Sequence, residues 1–334
     1  MINYVIIFSL LFGVEIFYLK IAARKGIEDT PNHRSAHVNP IIRGGGIIFI
    51  PAVFLFLLFF PNESSNYYFL IISILLVSII SFIDDLITLT SYKRILVHFI
   101  SFTLVFYHLE FFNNLSIASI GLIFFSYVFS LGYLNIYNFM DGINGITFLN
   151  ALISYVTFFT INIYVVAFTN CNLLLILIFT TLIFGFFNFR IKPKCFAGDV
   201  GSITIGFTII YFIIKLFLES NNYIVFLMLG VYLLDGGWTI FERIGRKENI
   251  LEAHKRHLYQ LLANDLKIPH LKISLIYFLV QLILNGIIFF YLVFNINSSL
   301  TFGIITFIVL SAIYIIIKGK VYNNVKKLRE YNEN

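Results

Sequence analysis

Long apolar runs, each about the length of a membrane-crossing helix, alternate along this chain with short polar gaps. A helix needs about 17 to 25 mostly apolar residues to cross a bilayer, and such runs lie near 1–20, 44–60, 67–87, 94–112, 116–136, 145–168, 173–189, 203–218, 223–240, 271–293 and 300–317. The pattern predicts an all-α polytopic membrane protein with about eleven transmembrane helices, ten at the fewest. No Pro/Gly/Ser-rich linker interrupts it, and the longest polar stretch is about 242–270, so a single domain over 1–334 is the simplest organisation.

Composition makes lipid the main solvent. The chain is 59% hydrophobic and 12% charged, where soluble domains carry roughly a quarter charged residues. Charge then orients it, because short cytoplasmic loops retain Lys and Arg. Every one of the 23 bases except Lys215 falls in alternate gaps, and Lys215 can snorkel from the end of a span. The N-terminus is therefore expected outside and the C-terminus in the cytoplasm. The first run has no basic residue before it and Lys20, Arg24 and Lys25 after it, which reads as an anchor rather than a cleaved leader. Cys171 and Cys195 fall on opposite sides, which excludes a disulfide between them. The net charge of +6 then sits on one face, where anionic lipid headgroups and phosphorylated substrates are the expected partners. Nucleic acid is not expected, since no separate soluble basic domain is present.

The same basic gaps hold the reactive polar groups. Asp84-Asp85 closes the third run, and ionisable groups at a span edge are costly enough to suggest function. Successive helical positions differ by about 100°, so one carboxylate can accept a proton while the other binds a metal or backbone group; a solvated pair at a helix end is the plainer reading. Asn135, Asn138 and Asp141 recur every third residue at the end of the fifth run, with Gly142 and Gly145 following. They form a polar stripe where a ligand can approach the backbone, although Asp-Gly is also an ordinary turn. Asp199, in Phe196-Ala197-Gly198-Asp199-Val200-Gly201-Ser202, suits one ligand of a hard cation beside a diphosphate, or a helix cap. The first gap carries Arg34, His37 and Arg43 before Gly44-Gly45-Gly46, a set of cations and N–H groups suited to phosphate. The gap before the tenth run carries His254-Lys255-Arg256-His257; zinc is disfavoured there for want of a third ligand.

Taken together, Asp29-x-Pro31-Asn32-x-Arg34-Ser35-x-His37, Arg43-Gly44-Gly45-Gly46, Asp84-Asp85, Asn138-Phe139-Met140-Asp141-Gly142, Phe196-x-Gly198-Asp199-Val200-Gly201-Ser202 and His257-Leu258-Tyr259-Gln260 resemble the polyprenyl-phosphate N-acetylhexosamine-1-phosphate transferases, bacterial glycosyltransferase family 4. The Arg-Gly-Gly-Gly and His-Leu-Tyr-Gln versions look most like the branch that starts O-antigen or capsule repeat units. The resemblance implies transfer of an N-acetylamino-sugar 1-phosphate from a UDP-sugar to undecaprenyl phosphate, with release of UMP. It implies Mg²⁺, with Mn²⁺ as its alternative, and a multi-pass protein of the inner membrane with a cytoplasmic site. A homodimer is left open as the assembly.

Carried over by motif, Asp199 would be the principal metal ligand, and Asp84, Asp85 and Asp141 the catalytic acids. The roles of Asp84 and Asp85 are exchangeable at this stage. Asn138, Arg34, His37, Arg43, Gly198, Arg256 and His257 would hold the phosphates, nucleotide and sugar. Two departures stand out: Asn144 occupies a position where many relatives have an acid, and Tyr259-Gln260 replaces histidines of better-known branches, which argues against the peptidoglycan-precursor enzyme. A transporter of a nucleotide sugar or lipid-linked sugar is the alternative. It expects polar groups at mid-span, and the runs read as nearly free of charge.

Overall fold

The computed structural model describes residues 2–29, 40–113, 116–249, 255–294, 296 and 299–333. The apolar runs are helices: α1 (Ile2–Lys25), α2 (Phe49–Phe59), the short α3 (Pro61–Ser64), α4 (Tyr68–Ile87), α5 (Ser91–His108), α6 (Ile117–Met140), α7 (Ile146–Tyr164), α8 (Cys171–Asn188), α9 (Gly198–Ser220), α10 (Gly230–Gly245), the one-turn α11 (Leu258–Gln260), α12 (His270–Val293) and α13 (Ser299–Glu333). Among the described residues nine helical segments are long and apolar enough to cross a membrane. The runs at 44–60 and 94–112 are also helical, but Gly45–Phe59 is shorter than a usual span and α5 carries Lys93 and Arg94 in its first turn. The expectation of all-α structure has one exception: β1 (Glu28–Asp29) pairs antiparallel with β2 (Ile41–Ile42), whose Ile42 also bridges to Cys195.

Helix α9 is the axis of the bundle, buried from Val200 to Ile214 and packed by α4, α6 and α7. Two of its threonines find partners across the helix contacts: Ser78 Oγ lies 2.7 Å from Thr204 Oγ1, and Tyr155 hydroxyl 2.6 Å from Thr208 Oγ1. In lipid such groups must be satisfied internally. Outer helices behave oppositely, with α6 exposing Ile117, Leu122, Phe124, Phe125 and Val128 to the surroundings.

Two acids nevertheless lie near the middle of described spans, far from their ends. Glu15 in α1 and Asp235 in α10 are both buried, so the expectation of spans nearly free of charge is corrected. The ends of the helices sort the remaining polar groups. The C-terminal ends of α4 and α6 and the N-terminal ends of α5 and α9 meet at one end of the bundle. At the other end Tyr4, Glu63, Asn170 and Asn172 form a hydrogen-bonded group. Cys171 opens α8 and Cys195 follows its far end, and both are free thiols.

Candidate active site

Three motifs far apart in sequence close on one another where α4 ends and α9 begins. Asp85 has both oxygens committed: Oδ1 accepts from the Asp199 N–H at 2.9 Å and Oδ2 from the Val200 N–H at 3.0 Å. Helix N-termini leave such N–H groups unpaired, and a carboxylate there also meets the favourable end of the helix dipole. The same Asp85 Oδ1 pairs with Arg43 Nε at 2.6 Å, and its side chain is fully shielded from solvent. The cap of α9 is thus Asp85, from another helix, and not Asp199.

Asp199 and Asp84 stand at the open side of this arrangement. Arg43 Nη2 reaches Asp199 Oδ1 at 3.3 Å, while Arg94 Nη1 bridges Asp84 Oδ2 at 2.7 Å and Asp199 Oδ2 at 3.2 Å. The other oxygen of Asp84 accepts from the Leu89 N–H in the turn that follows α4. Three carboxylates and two guanidiniums therefore interlock. Burial works against the Arg43 charge, but Asp85 and Asp199 more than offset it and hold its pKa above the ordinary value.

Glycine makes this approach of backbones possible. Gly198 has φ of +70°, and a Cβ there would stand 2.6 Å from Asp85 Oδ2 and 2.8 Å from the Gly44 nitrogen. The N–H groups of Gly45 and Gly46 donate to the carbonyls of Phe196 and Ala197 at 2.8 and 3.0 Å. Instead of offering N–H groups to a phosphate, two members of the triple glycine lace the first gap to the start of α9. Gly198, expected among the ligand-holding residues, is likewise packed into this contact. Arg43 reaches the cluster because its neighbour Ile42 is paired on both sides, to β1 and to Cys195.

Asn138 joins from α6, its Oδ1 accepting from Ser202 Oγ at 2.6 Å. Asp141 follows one turn later, accepting from Thr147 Oγ1 at 2.6 Å. Burial, followed by the nearby Asp85 charge, pushes the Asp141 carboxyl up from 3.8 to about 7, although the Thr147 hydroxyl bond pulls the other way. Protonated Asp141 is therefore favoured by folding. Its stabilising contribution is complete below about pH 4, where the unfolded chain also holds the proton, and is lost as pH rises through about 7. Asp141→Asn should flatten the rise in thermal midpoint seen as pH falls between these values, measured by size-exclusion after heating.

Asn144 faces away from the acids. Its Nδ2 donates to the Arg190 and Ile191 carbonyls at 3.0 and 3.5 Å, and its backbone carbonyl accepts from Ser274 Oγ at 2.7 Å. A carboxylate cannot donate to a carbonyl, so an ionised aspartate would be repelled in this setting. Asn144→Asp is expected to cost about 1–3 kcal/mol, read as a lower midpoint that recovers when the buffer is acidified.

The basic gap before α12 divides in two. Arg256 pairs with Glu248 at 2.6 Å and Glu242 at 3.7 Å, in a charged group shared with Arg246 and Lys318 rather than with the interlocked acids. His257 turns inward: it is buried, lies 3.5 Å by Nδ1 from Asp235, and stacks on Tyr259 with centroids 5.6 Å apart. The Tyr259 hydroxyl donates to the Phe139 carbonyl at 2.8 Å, which brings it against the Asn138–Gly142 segment that ends α6. Arg34, His37 and His254 lie outside the described residues.

Two contributors were not singled out by motif. Arg94 counted only as one more base on a basic face, where topology already accounts for Lys and Arg. Asp235 had a usable signal, being a lone acid inside an apolar run.

The chemistry of the donor set fits a hard divalent cation. Carboxylate oxygens of Asp199 and Asp84 share one side of the cluster. Among the described residues no group of three or more ligating side chains surrounds one point. Mg²⁺ needs only one or two carboxylates when phosphate oxygens complete its shell.

Comparison with known proteins agrees with the motifs. Residues 67–217 match glycosyl transferase family 4, a stretch that holds Asp84, Asp85, Asn138, Asp141 and Asp199 and leaves out Arg43 and His257. The chain is also similar to a phospho-N-acetylmuramoyl-pentapeptide-transferase of Streptococcus gordonii, 31% identical over 218 residues. That alignment covers 57% of this chain and 64% of the relative, so less than two thirds of the relative's length is matched.

Proposed function

We propose, from a chain whose residues 67–217 match glycosyl transferase family 4, that it transfers an N-acetylamino-sugar 1-phosphate from a UDP-sugar to undecaprenyl phosphate, releasing UMP and starting a surface polysaccharide such as O-antigen or capsule. The observation that carries this reading is the interlock of Asp84, Asp85 and Asp199 with Arg43 and Arg94 at one end of a helical bundle. Two anionic substrates, a lipid phosphate and a nucleotide diphosphate, must meet there, and fixed cations at a membrane edge favour that encounter. We place the site on the cytoplasmic face of the inner membrane, with about eleven crossings, because the alternate basic gaps fall at this end.

The roles follow from what each side chain has free. Asp85 is occupied by the cap of α9 and by Arg43, which leaves Asp84 Oδ2 as the oxygen able to take a proton from the lipid phosphate once Arg94 turns to that phosphate. Arg43 and Arg94 hold phosphate oxygens in place. Asn138 and Asp141 border the nucleotide, and the segment that carries the buried His257 packs behind them through Tyr259. Mg²⁺, held by Asp199, would neutralise the diphosphate charge when bound. Positioning supplies the rest, since phosphoryl transfer asks for alignment more than for covalent steps.

The Streptococcus relative brings a second reading, in which the sugar is phospho-N-acetylmuramoyl-pentapeptide. Purified protein in lipid, incubated with Mg²⁺, undecaprenyl phosphate and a panel of UDP-sugars that includes UDP-N-acetylmuramoyl-pentapeptide, separates the two by mass spectrometry of the lipid product. A UDP-N-acetylamino sugar is the expected donor. Uptake of UDP-sugar into proteoliposomes with no UMP released would overturn both.

A further inference from the structure

Asp235 is buried in α10, about 15 Å of helix from its Gly245 end, and is surrounded by donors. Its Oδ1 accepts from the Leu258 N–H at 2.9 Å and the Tyr314 hydroxyl at 2.8 Å, and lies 3.5 Å from His257 Nδ1. Oδ2 accepts from the Tyr277 hydroxyl at 2.6 Å and the Tyr259 N–H at 3.3 Å. These donors come from α12, α13 and the segment 257–259, so one carboxylate draws a polar loop down into the helical bundle. A buried charge is tolerated only when its lone pairs are used in this way.

The loop it holds continues to the site. His257 and Tyr259 stack with their rings 19° from parallel, and the Tyr259 hydroxyl holds the Phe139 carbonyl. Across from it Gly142 leaves no room for a methyl group, since a Cβ would stand 2.2 Å from that hydroxyl oxygen. Asn138 and Asp141 lie in the same turn as Phe139.

We infer that Asp235 is a positioning residue for the transfer: it seats the His257 imidazole and, through Tyr259, the Asn138–Gly142 segment that ends α6. The inference rests on the function proposed above. A carboxylate beside a histidine fixes the orientation of the ring and which nitrogen carries the proton. Here the carboxylate comes from a membrane helix, and its remaining donors tie α12 and α13 to the same point.

The test uses the full chain in lipid nanodiscs. Asp235→Asn should lower kcat for UMP release about 10- to 100-fold. In a His257→Gln background the same change should cost less than about 3-fold, because either substitution removes the same interaction. Losses that multiply would overturn the inference.

Carbethoxylation read by mass spectrometry needs no substrate. His257 should be protected in the parent and modified in Asp235→Asn, while His98, buried in α5, stays protected in both. Unchanged protection of His257, or exposure of both histidines together, would also overturn it. Should Asp235→Asn fail to fold, Tyr259→Phe carries the test. A loss of roughly 10-fold in kcat at an unchanged thermal midpoint supports the inference, and an unchanged kcat sinks it. A parent protein that releases no UMP from any donor defeats the proposed function, and the carbethoxylation pattern then still decides the role of Asp235.

Discussion

Asp199→Asn should reduce UMP release on the order of 10²–10³-fold while leaving the protein folded. The structure explains why both halves of that result are expected together. Arg43 spans Asp85 and Asp199, and Arg94 spans Asp84 and Asp199. Removing the charge of Asp199 leaves each guanidinium with its shorter contact, at 2.6 and 2.7 Å. No buried charge is stranded, which is the usual route by which such a change unfolds a protein. The cap of α9 also survives, because Asp85 accepts from the residue 199 backbone N–H and not from its side chain. What disappears is the carboxylate at the open side of the cluster, the one proposed to hold Mg²⁺. Thermal midpoint and turnover should be measured on the same preparation with saturating Mg²⁺; a well-folded variant with parental turnover removes Asp199 from the mechanism.

Gly46→Ala should have the largest effect on stability, above about 3 kcal/mol. A Cβ at Gly46 would stand 2.0 Å from the Gly201 Cα and 2.5 Å from its nitrogen. Neither neighbour is a flexible side chain that could turn aside. The loop and the start of α9 would have to separate, breaking the Gly45 and Gly46 bonds to Phe196 and Ala197 and pulling Arg43 away from Asp85. Monodisperse protein on size-exclusion should fall sharply for Gly46→Ala. Gly121→Ala is the control, since nothing lies within 4 Å of a Cβ there and alanine favours a helix. Equal behaviour of the two variants would show that the close contact is not what the glycine is for.

These two results separate what could be read from the chain and what could not. Helical runs were legible because lipid requires each spanning segment to satisfy its own backbone, so length and apolarity alone mark it. The runs at 44–60 and 94–112 show the limit, being helical but short or basic at one end. Asp84, Asp85, Asn138, Asp141 and Asp199 were legible as acids and amides interrupting apolar sequence. Their division of labour was not. Asp84 and Asp85 are adjacent in the chain, yet one caps a distant helix and the other shares Arg94 with Asp199.

The amino-acid sequence by itself determined the helical membrane architecture, the gathering of bases in alternate gaps and the family resemblance, because each depends on residue type and spacing along one segment. Tertiary structure alone decided that the triple glycine serves backbone contact, that Arg256 belongs to a separate charged group, and that Asn144 pins the 190–191 turn. It alone brought Arg94 into the cluster of acids and showed what Asp235 holds. The physical reason is that a hydrogen bond or ion pair requires groups to meet within about 3 Å, and residues 43, 85, 94 and 199 meet only once the helices have packed.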